Sequence, residues 1–298
     1  MRNIAIIGGG LMGAGIAQVF VGAGYDVSLF EPNAEVATSV RQRVADGLRQ
    51  LGDAPDKADR VRLAPSLESA VAEADYVTEA APEKLDLKRS LFNQLVAHAP
   101  RTAILASNTS VIPIGRIAQD LPSADRIVGT HWWNPAPLIP LVEVIQAAET
   151  SDATVEATMG LLTALGKSPA HVRKDLPGFV ANRLQHALWR EAIAMVAEGV
   201  CDAATLDACV RNSFGRRLAV LGPLENADLV GLDLTLDIHR TIIPELDRHA
   251  GPHAFLEEQV KAGRLGFKTG EGFRAWTSEE IADLRRNLAE HLIRGRTG

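Results

Sequence analysis

The sequence predicts an α/β half with a mostly parallel sheet, followed by an all-α half. Three observations carry this. Up to about residue 150, short β-branched runs alternate with longer amphipathic stretches, which is the pattern of βαβ units. A glycine-rich turn follows the first apolar run at once. Beyond about residue 176 the apolar residues recur almost only at helical spacing. We place the domains at 1–176 and 177–298. A length of 298 residues, 46% of them hydrophobic, suits two globular cores.

The strands are read first. Ile4-Ala-Ile-Ile7 opens the sheet, and Val27-Ser-Leu-Phe30, Asp75-Tyr-Val77, Ile104-Leu-Ala106 and Arg126-Ile-Val-Gly129 follow. His171-Val-Arg-Lys174 is a candidate last strand. Continuous apolar runs of this kind belong to strands covered on both faces. Helical spacing is expected at 14–23 and 85–96, then over 179–200, 202–213, about 223–240 and 278–293. Thr277-Ser-Glu-Glu280 spells a capping box for the last of these.

Composition excludes several classes of function. The net charge is -6 with no basic block, so nucleic acid is not an expected partner. No apolar run reaches the roughly 18 residues of a membrane span, and there is no secretory signal. Cys201 and Cys209 have neither a metal nor a redox spacing, so no metal is expected. A cytoplasmic location and a small-molecule substrate are the expectations.

Gly8-Gly9-Gly10-Leu11-Met12-Gly13 reads G-x-G-x-x-G between a strand and a helix, and Glu31 ends the next strand. That is the dinucleotide-binding layout of a Rossmann-type domain. Gly8 permits the tight turn, Gly10 lets the backbone approach a pyrophosphate, and Gly13 lets the helix pack on the strand. The pyrophosphate would sit at the helix N-terminus, and Leu11 and Met12 of the motif are expected to bind the cofactor with the glycines. Glu31 would accept hydrogen bonds from the adenosine ribose. Pro32 and Asn33 follow it, not arginine, which favours NAD over NADP.

His131 and Glu143 lie symmetrically about Pro137 in a proline-rich reversal, so the chain brings them opposite each other. A carboxylate on one imidazole nitrogen fixes the tautomer and raises the basicity of the other. Oxidation of a carbinol needs such a base.

Ala106-Ser-Asn-Thr-Ser110, His131-Trp-Trp-Asn-Pro135 with Leu141-Val-Glu143, and Pro177-Gly-Phe-Val-Ala-Asn-Arg183 resemble signature segments of the L-3-hydroxyacyl-CoA dehydrogenases. Gly270-Glu-Gly-Phe273 resembles that family's C-terminal motif. The resemblance covers nearly the whole chain. It implies a C-terminal domain like that of 6-phosphogluconate dehydrogenase, and a homodimer formed through it. It also implies roles by position. His131 is the catalytic base and Glu143 its orienting carboxylate, while Ser110 and Asn182 hold the reacting oxygen. Glu83, Lys88 and Lys268 meet the cofactor.

Plainer readings stay open beside these. Ser110 or Thr109 would cap the helix containing Ile114, Asn182 would be an ordinary first-turn residue, and Glu83 and Lys88 would be solvated helix-face charges.

Three departures concern the substrate. The acyl-CoA enzymes carry a lysine-rich helical hairpin after the second strand; residues 32–74 here are shorter, with mixed charges such as Arg41, Arg43, Asp46 and Arg49. The two phenylalanines usual after the histidine are Trp132 and Trp133, and a common lysine is Pro140. Ile139-Pro-Leu-Val-Glu143 and Arg216-Arg217-Leu-Ala-Val-Leu-Gly-Pro-Leu-Glu225 resemble the lambda-crystallin/gulonate and carnitine dehydrogenase branch. Arg217 is a candidate ligand for a free carboxylate. The expected function is oxidation of a β-hydroxyl on a small acid or an acyl-CoA. The alternative is a catalytically silent, crystallin-like NAD-binding protein. A decarboxylating β-hydroxyacid dehydrogenase would want a lysine on the helix at 179–200, which has none.

Overall fold

The computed structural model describes residues 1–295; the last three residues of the expected second domain lie outside them. The chain forms β1 (Asn3–Ile7), α1 (Leu11–Gly22), β2 (Asp26–Phe30), α2 (Ala34–Gln50), β3 (Val61–Leu63), α3 (Leu67–Val71), β4 (Tyr76–Glu79) and α4 (Leu85–His98). There follow β5 (Ile104–Ser107), α5 (Ile114–Ile117), β6 (Ile127–Trp132), β7 (Leu141–Ile145), α6 (Asp152–Ala164) and β8 (Ser168–Val172). The helices α7 (Ala181–Ala197), α8 (Ala203–Asn212), α9 (Pro223–Val230), α10 (Leu232–Ile242), α11 (Ala254–Lys261) and α12 (Ser278–Gly295) complete the chain.

The sheet order is β3-β2-β1-β4-β5-β6-β7-β8. Every pairing is parallel except β6 with β7. The chain leaves β1 in one direction to reach β2 and β3, and in the other to reach β4. Their C-terminal ends therefore flank a switch point, where open α/β sheets bind ligands. Alternate residues of β1 feed opposite faces: Ile4 and Ile6 join one buried cluster with Phe20, Leu29 and Tyr76, while Ala5 and Ile7 join another with Phe92, Leu95 and Leu105. Two covered faces explain why these strands read as unbroken apolar runs. Pro169 lies on β8, an edge strand where a missing N–H costs no ladder bond on the open side.

Several expectations need correcting. β3 has three residues, too few to register as an apolar run. Helix α1 starts at Leu11, not at residue 14. The expected helix over 223–240 is two, because Gly231 takes a φ of +104 between α9 and α10. The helix at 179–200 is the shorter α7, because Phe179 has a φ of +51 and cannot join it. The box at Thr277 forms as read: Glu280 N donates to Thr277 Oγ1 and Thr277 N to Glu280 Oε2.

The chain makes two compact units, one of residues 1–183 with the end of α12 from His291, the other Leu184–Glu290. They differ in core. The first holds nearly all the buried apolar side chains. In the second, Ala194 is the one buried apolar residue among the described residues.

Gly13 shows how tightly α1 meets the sheet: a Cβ there would lie 1.9 Å from Gly8 O. We expect Gly13→Ala to destabilise the N-terminal unit by about 2 kcal/mol or more, read as a lower denaturation midpoint. A midpoint equal to wild type would show that α1 can retreat.

Candidate active site

The glycine loop has the shape for a dinucleotide. Gly8, at a φ of +105, lies so close to β4 that a Cβ would sit 2.7 Å from Ala80 O. At Gly10 an added Cβ would meet nothing within 4 Å, so open space lies over the start of α1. The first turn of α1 holds no acidic residue and no side chain caps it. The N–H groups of Leu11 and Met12 have no acceptor among the described residues, and an anion suits them. Glu31 Oε2 accepts from Gly9 N at 2.7 Å, and Oε1 from Asn33 N at 2.9 Å. The loop fits the phosphate backbone of NAD. One neighbour was invisible in the sequence: Arg43, from the middle of α2, donates to Gly10 O at 3.3 Å and to Gly9 O.

His131 and Glu143 are direct partners across the antiparallel β6–β7 register. Nδ1 of the imidazole lies 2.7 Å from Glu143 Oε2, with the residues 4% and 1% exposed. The ring contacts Trp133 and Phe179, at centroid distances of 5.1 and 5.7 Å. Nε2 makes no hydrogen bond among the described residues, yet it is not among the sealed, unpartnered polar atoms. It is the nitrogen left open to a ligand.

The other oxygen of Glu143 faces α7. Gly178 and Phe179 take consecutive left-handed conformations, φ +76 and +51. That turn directs the next two amides inward, and Glu143 Oε1 accepts from Val180 N at 2.9 Å and Ala181 N at 3.1 Å. A left-handed phenylalanine costs of order 1 kcal/mol; its ring contact with His131 and these two bonds oppose that cost. Burial would raise the Glu143 carboxyl, but hydrogen bonds from His131, Ala181 and Val180 outweigh it and hold the group below the usual carboxylate range.

Ser110 and Asn182 also come together: Asn182 Nδ2 donates to the Ser110 carbonyl at 3.1 Å. The loop carrying Ser110 is held by Glu83, whose Oε1 accepts from Thr109 Oγ1 at 2.6 Å, Ser110 N at 2.9 Å and Val111 N at 3.1 Å. Thr109 Oγ1 accepts from Ile112 N at 3.0 Å. α5 begins later, after Pro113, so neither Thr109 nor Ser110 caps it. Asn108 Oδ1 accepts from Trp132 N at 3.0 Å and ties this loop to the strand of His131.

Lys88 differs from both readings of it. It is fully buried, so it is not a solvated charge. Its ammonium is 2.7 Å from Glu79 Oε1, 3.3 Å from Ala81 O and 3.5 Å from Glu83 Oε2. With no surface exposed, its side chain has no face to offer a cofactor directly, and its partners are Glu79, Glu83 and the Ala81 carbonyl. Glu79 and Ser107, which the sequence reading missed, complete this network through a 2.6 Å bond. An acid closing an apolar strand, as Glu79 closes β4, was the available signal.

Arg217 and Lys268 belong to the helical unit. Both are exposed, and neither makes a side-chain hydrogen bond or ion pair among the described residues. No group of His, Cys, Asp and Glu that could hold a metal occurs among the described residues.

Family comparisons agree with this layout. Residues 3–176 match the NAD binding domain of 3-hydroxyacyl-CoA dehydrogenase, and residues 178–276 match that enzyme's C-terminal domain. The chain belongs to the 3-hydroxyacyl-CoA dehydrogenase family. It is an NAD-dependent oxidoreductase. An L-carnitine dehydrogenase of Streptomyces griseus is 40% identical over 265 residues, covering 83% of this chain and 79% of the relative. The 5-formyl-3-hydroxy-2-methylpyridine 4-carboxylate 5-dehydrogenase of Mesorhizobium japonicum is 35% identical over 301 residues, covering 98% and 96%. A solved structure of an enzyme so named, described as an NAD+ dependent dismutase, covers 99% of this chain and 97% of its own, with 34% identity and a TM-score of 0.92. The (S)-3-hydroxybutyryl-CoA dehydrogenase of Ralstonia eutropha, also 34% identical, covers 93% and 100% with a TM-score of 0.76.

Glu83 is held low as Glu143 is: burial opposes, but Thr109, the Val111 amide, the Lys88 charge and the Ser110 amide prevail. Both carboxyls ionise below the 4.5 of an unperturbed glutamate. Their contribution to stability is therefore complete above that pH and is lost as pH falls through the folded-state values. We expect the melting temperature to hold down to about pH 5 and then drop, with Glu143→Gln flattening part of the drop. An equal acid slope in wild type and variant would contradict the assignment.

Proposed function

We propose that the chain oxidises a secondary hydroxyl β to a free carboxylate on a small acid, with His131 as the general base. One observation carries this: a buried imidazole with Nδ1 held by Glu143 and Nε2 without a partner among the described residues, on a dinucleotide-binding sheet. NAD, when bound, accepts the hydride. His131 Nε2 takes the hydroxyl proton, and Glu143 keeps the ring in the orientation and tautomer that leave Nε2 free. Asn182 and Ser110, coupled through one hydrogen bond, hold the oxygen as it becomes a carbonyl. Gly8, Gly10, Leu11, Met12, Gly13 and Glu31 bind the cofactor, with Glu83 bracing the loop beside it. By position in the sequence, Arg217 is assigned to a carboxylate and Lys268 to the nucleotide.

The free acid is preferred over the CoA thioester because of residues 32–74. They contain six basic and seven acidic residues. The bases are engaged locally: Arg41 with Val61 O, Arg43 with the glycine loop, Arg49 with Asp46, Lys57 with Asp53, Arg60 with Asp26 and Arg62 with Ser28. A lysine-rich surface for several phosphates is not built there. The carnitine and pyridine-carboxylate relatives are both named for compounds with a free carboxylate, though the pyridine compound presents a formyl group and not a secondary hydroxyl.

His131→Gln should lower turnover about a hundredfold or more while NAD affinity survives. Initial rates with carnitine, gulonate, 3-hydroxybutyrate and 3-hydroxybutyryl-CoA then test the substrate class. Near-normal turnover in the variant would remove the base, and reduction of NAD with the thioester alone would remove the free acid.

We also infer a homodimer through the helical unit. Helices α8, α9, α10 and α12 bury no residue, and Leu218, Val220, Leu224, Leu229 and Leu232 are among many exposed apolar side chains. A surface this apolar needs a cover, and a second copy supplies a self-complementary one. No helix among the described residues is long and apolar enough to cross a membrane. Sedimentation should give twice the chain mass; a monomer at micromolar concentration would overturn this.

A further inference from the structure

Sequence order puts no cation after Glu31, but folding brings one. Arg43 uses both terminal nitrogens on the glycine loop, at Gly10 O and Gly9 O, and its Nε donates to Ser39 Oγ at 3.2 Å. Glu31 binds the same loop at Gly9 N. Gly9 is wedged between the two elements: a Cβ there would lie 2.9 Å from Val40 Cγ2 on α2 and 3.1 Å from Glu31 Cβ. A carboxylate and a guanidinium thus bracket one glycine. A guanidinium has five N–H donors; three are used, so two remain, and Arg43 has no ion pair among the described residues. The other bases of α2 are occupied elsewhere, Arg41 on Val61 O and Arg49 on Asp46.

We propose that Arg43 is a preformed ligand for a phosphate on the adenosine ribose, and that Glu31 alone keeps the site selective for NAD. This rests on Glu31 binding the ribose hydroxyls. A 2′-phosphate placed there meets the Glu31 carboxylate and is repelled. With that carboxylate removed, the two spare N–H groups of Arg43 provide a charge-assisted contact of the kind guanidinium makes with phosphate. Arg43 is then a specificity-determining residue, masked in the native chain.

The test is calorimetric binding of NAD and NADP to wild type, Glu31→Ser, and Glu31→Ser combined with Arg43→Ala or Arg43→Lys. Glu31→Ser should weaken NAD and tighten NADP by about tenfold or more. Adding Arg43→Ala should cancel the NADP gain while NAD changes far less, and Arg43→Lys should retain part of it. If Glu31→Ser loses NAD but gains no NADP affinity, or if the gain survives Arg43→Ala, the role of Arg43 is overturned and the ribose reading of Glu31 stands. If Glu31→Ser leaves NAD affinity unchanged, the ribose reading fails and takes this inference with it.

Discussion

The carboxylate of Glu143 is shared between two elements that meet nowhere else in sequence. One oxygen holds the His131 imidazole across the antiparallel pairing of β6 and β7, and the other accepts the first amides before and within α7. Each use requires the other. The carboxylate is buried, and a buried charge persists only when its lone pairs are satisfied. The amides supply part of that satisfaction and fix the carboxylate's direction; the direction in turn decides which imidazole nitrogen stays open. The left-handed turn at Gly178 and Phe179 exists to aim those amides, and its phenylalanine also walls the ring it helps to orient.

A second set of buried charges does the same for the loop of Ser110. Glu79, Lys88, Ser107 and Glu83 link the ends of β4 and β5 to the loop of Ser110. Removing one partner of a buried ion pair commonly costs several kcal/mol because the other is left uncompensated. Such a network adds little net stability over an apolar core, but it permits few alternative geometries. It lies under the loop proposed to hold the reacting oxygen, and in such a site a displacement of an ångström matters.

The two units divide the physical problem. The sheet unit buries its own apolar residues on both faces and needs nothing further to be compact. The helical unit leaves Leu, Val and Ile rows uncovered and keeps polar contacts among themselves, such as Glu191 with Asp247 N and Arg190 with Asp247. The first unit carries the glycine loop and the His131–Glu143 pair; the second carries the exposed cations Arg217 and Lys268.

Period and punctuation in the sequence determined the sheet, the glycine turn, the acid at the end of β2 and the pairing of His131 with Glu143, because each depends on spacing along a short stretch of chain. The capping box at Thr277 was legible for the same reason. Features built from distant segments were not. Lys88 read either as a cofactor contact or as an ordinary helix charge, and only the packing of α4 on the strand ends turned it inward onto Glu79. Gly231 was a weak breaker within an apolar run, and only its left-handed backbone divided α9 from α10. Arg43 lies mid-helix with nothing to mark it, and the fold of α2 over the glycine loop alone brought it to Gly9. Local patterning encodes elements and close pairs; the direction of a long charged side chain is settled by which backbone groups the tertiary structure leaves within its reach.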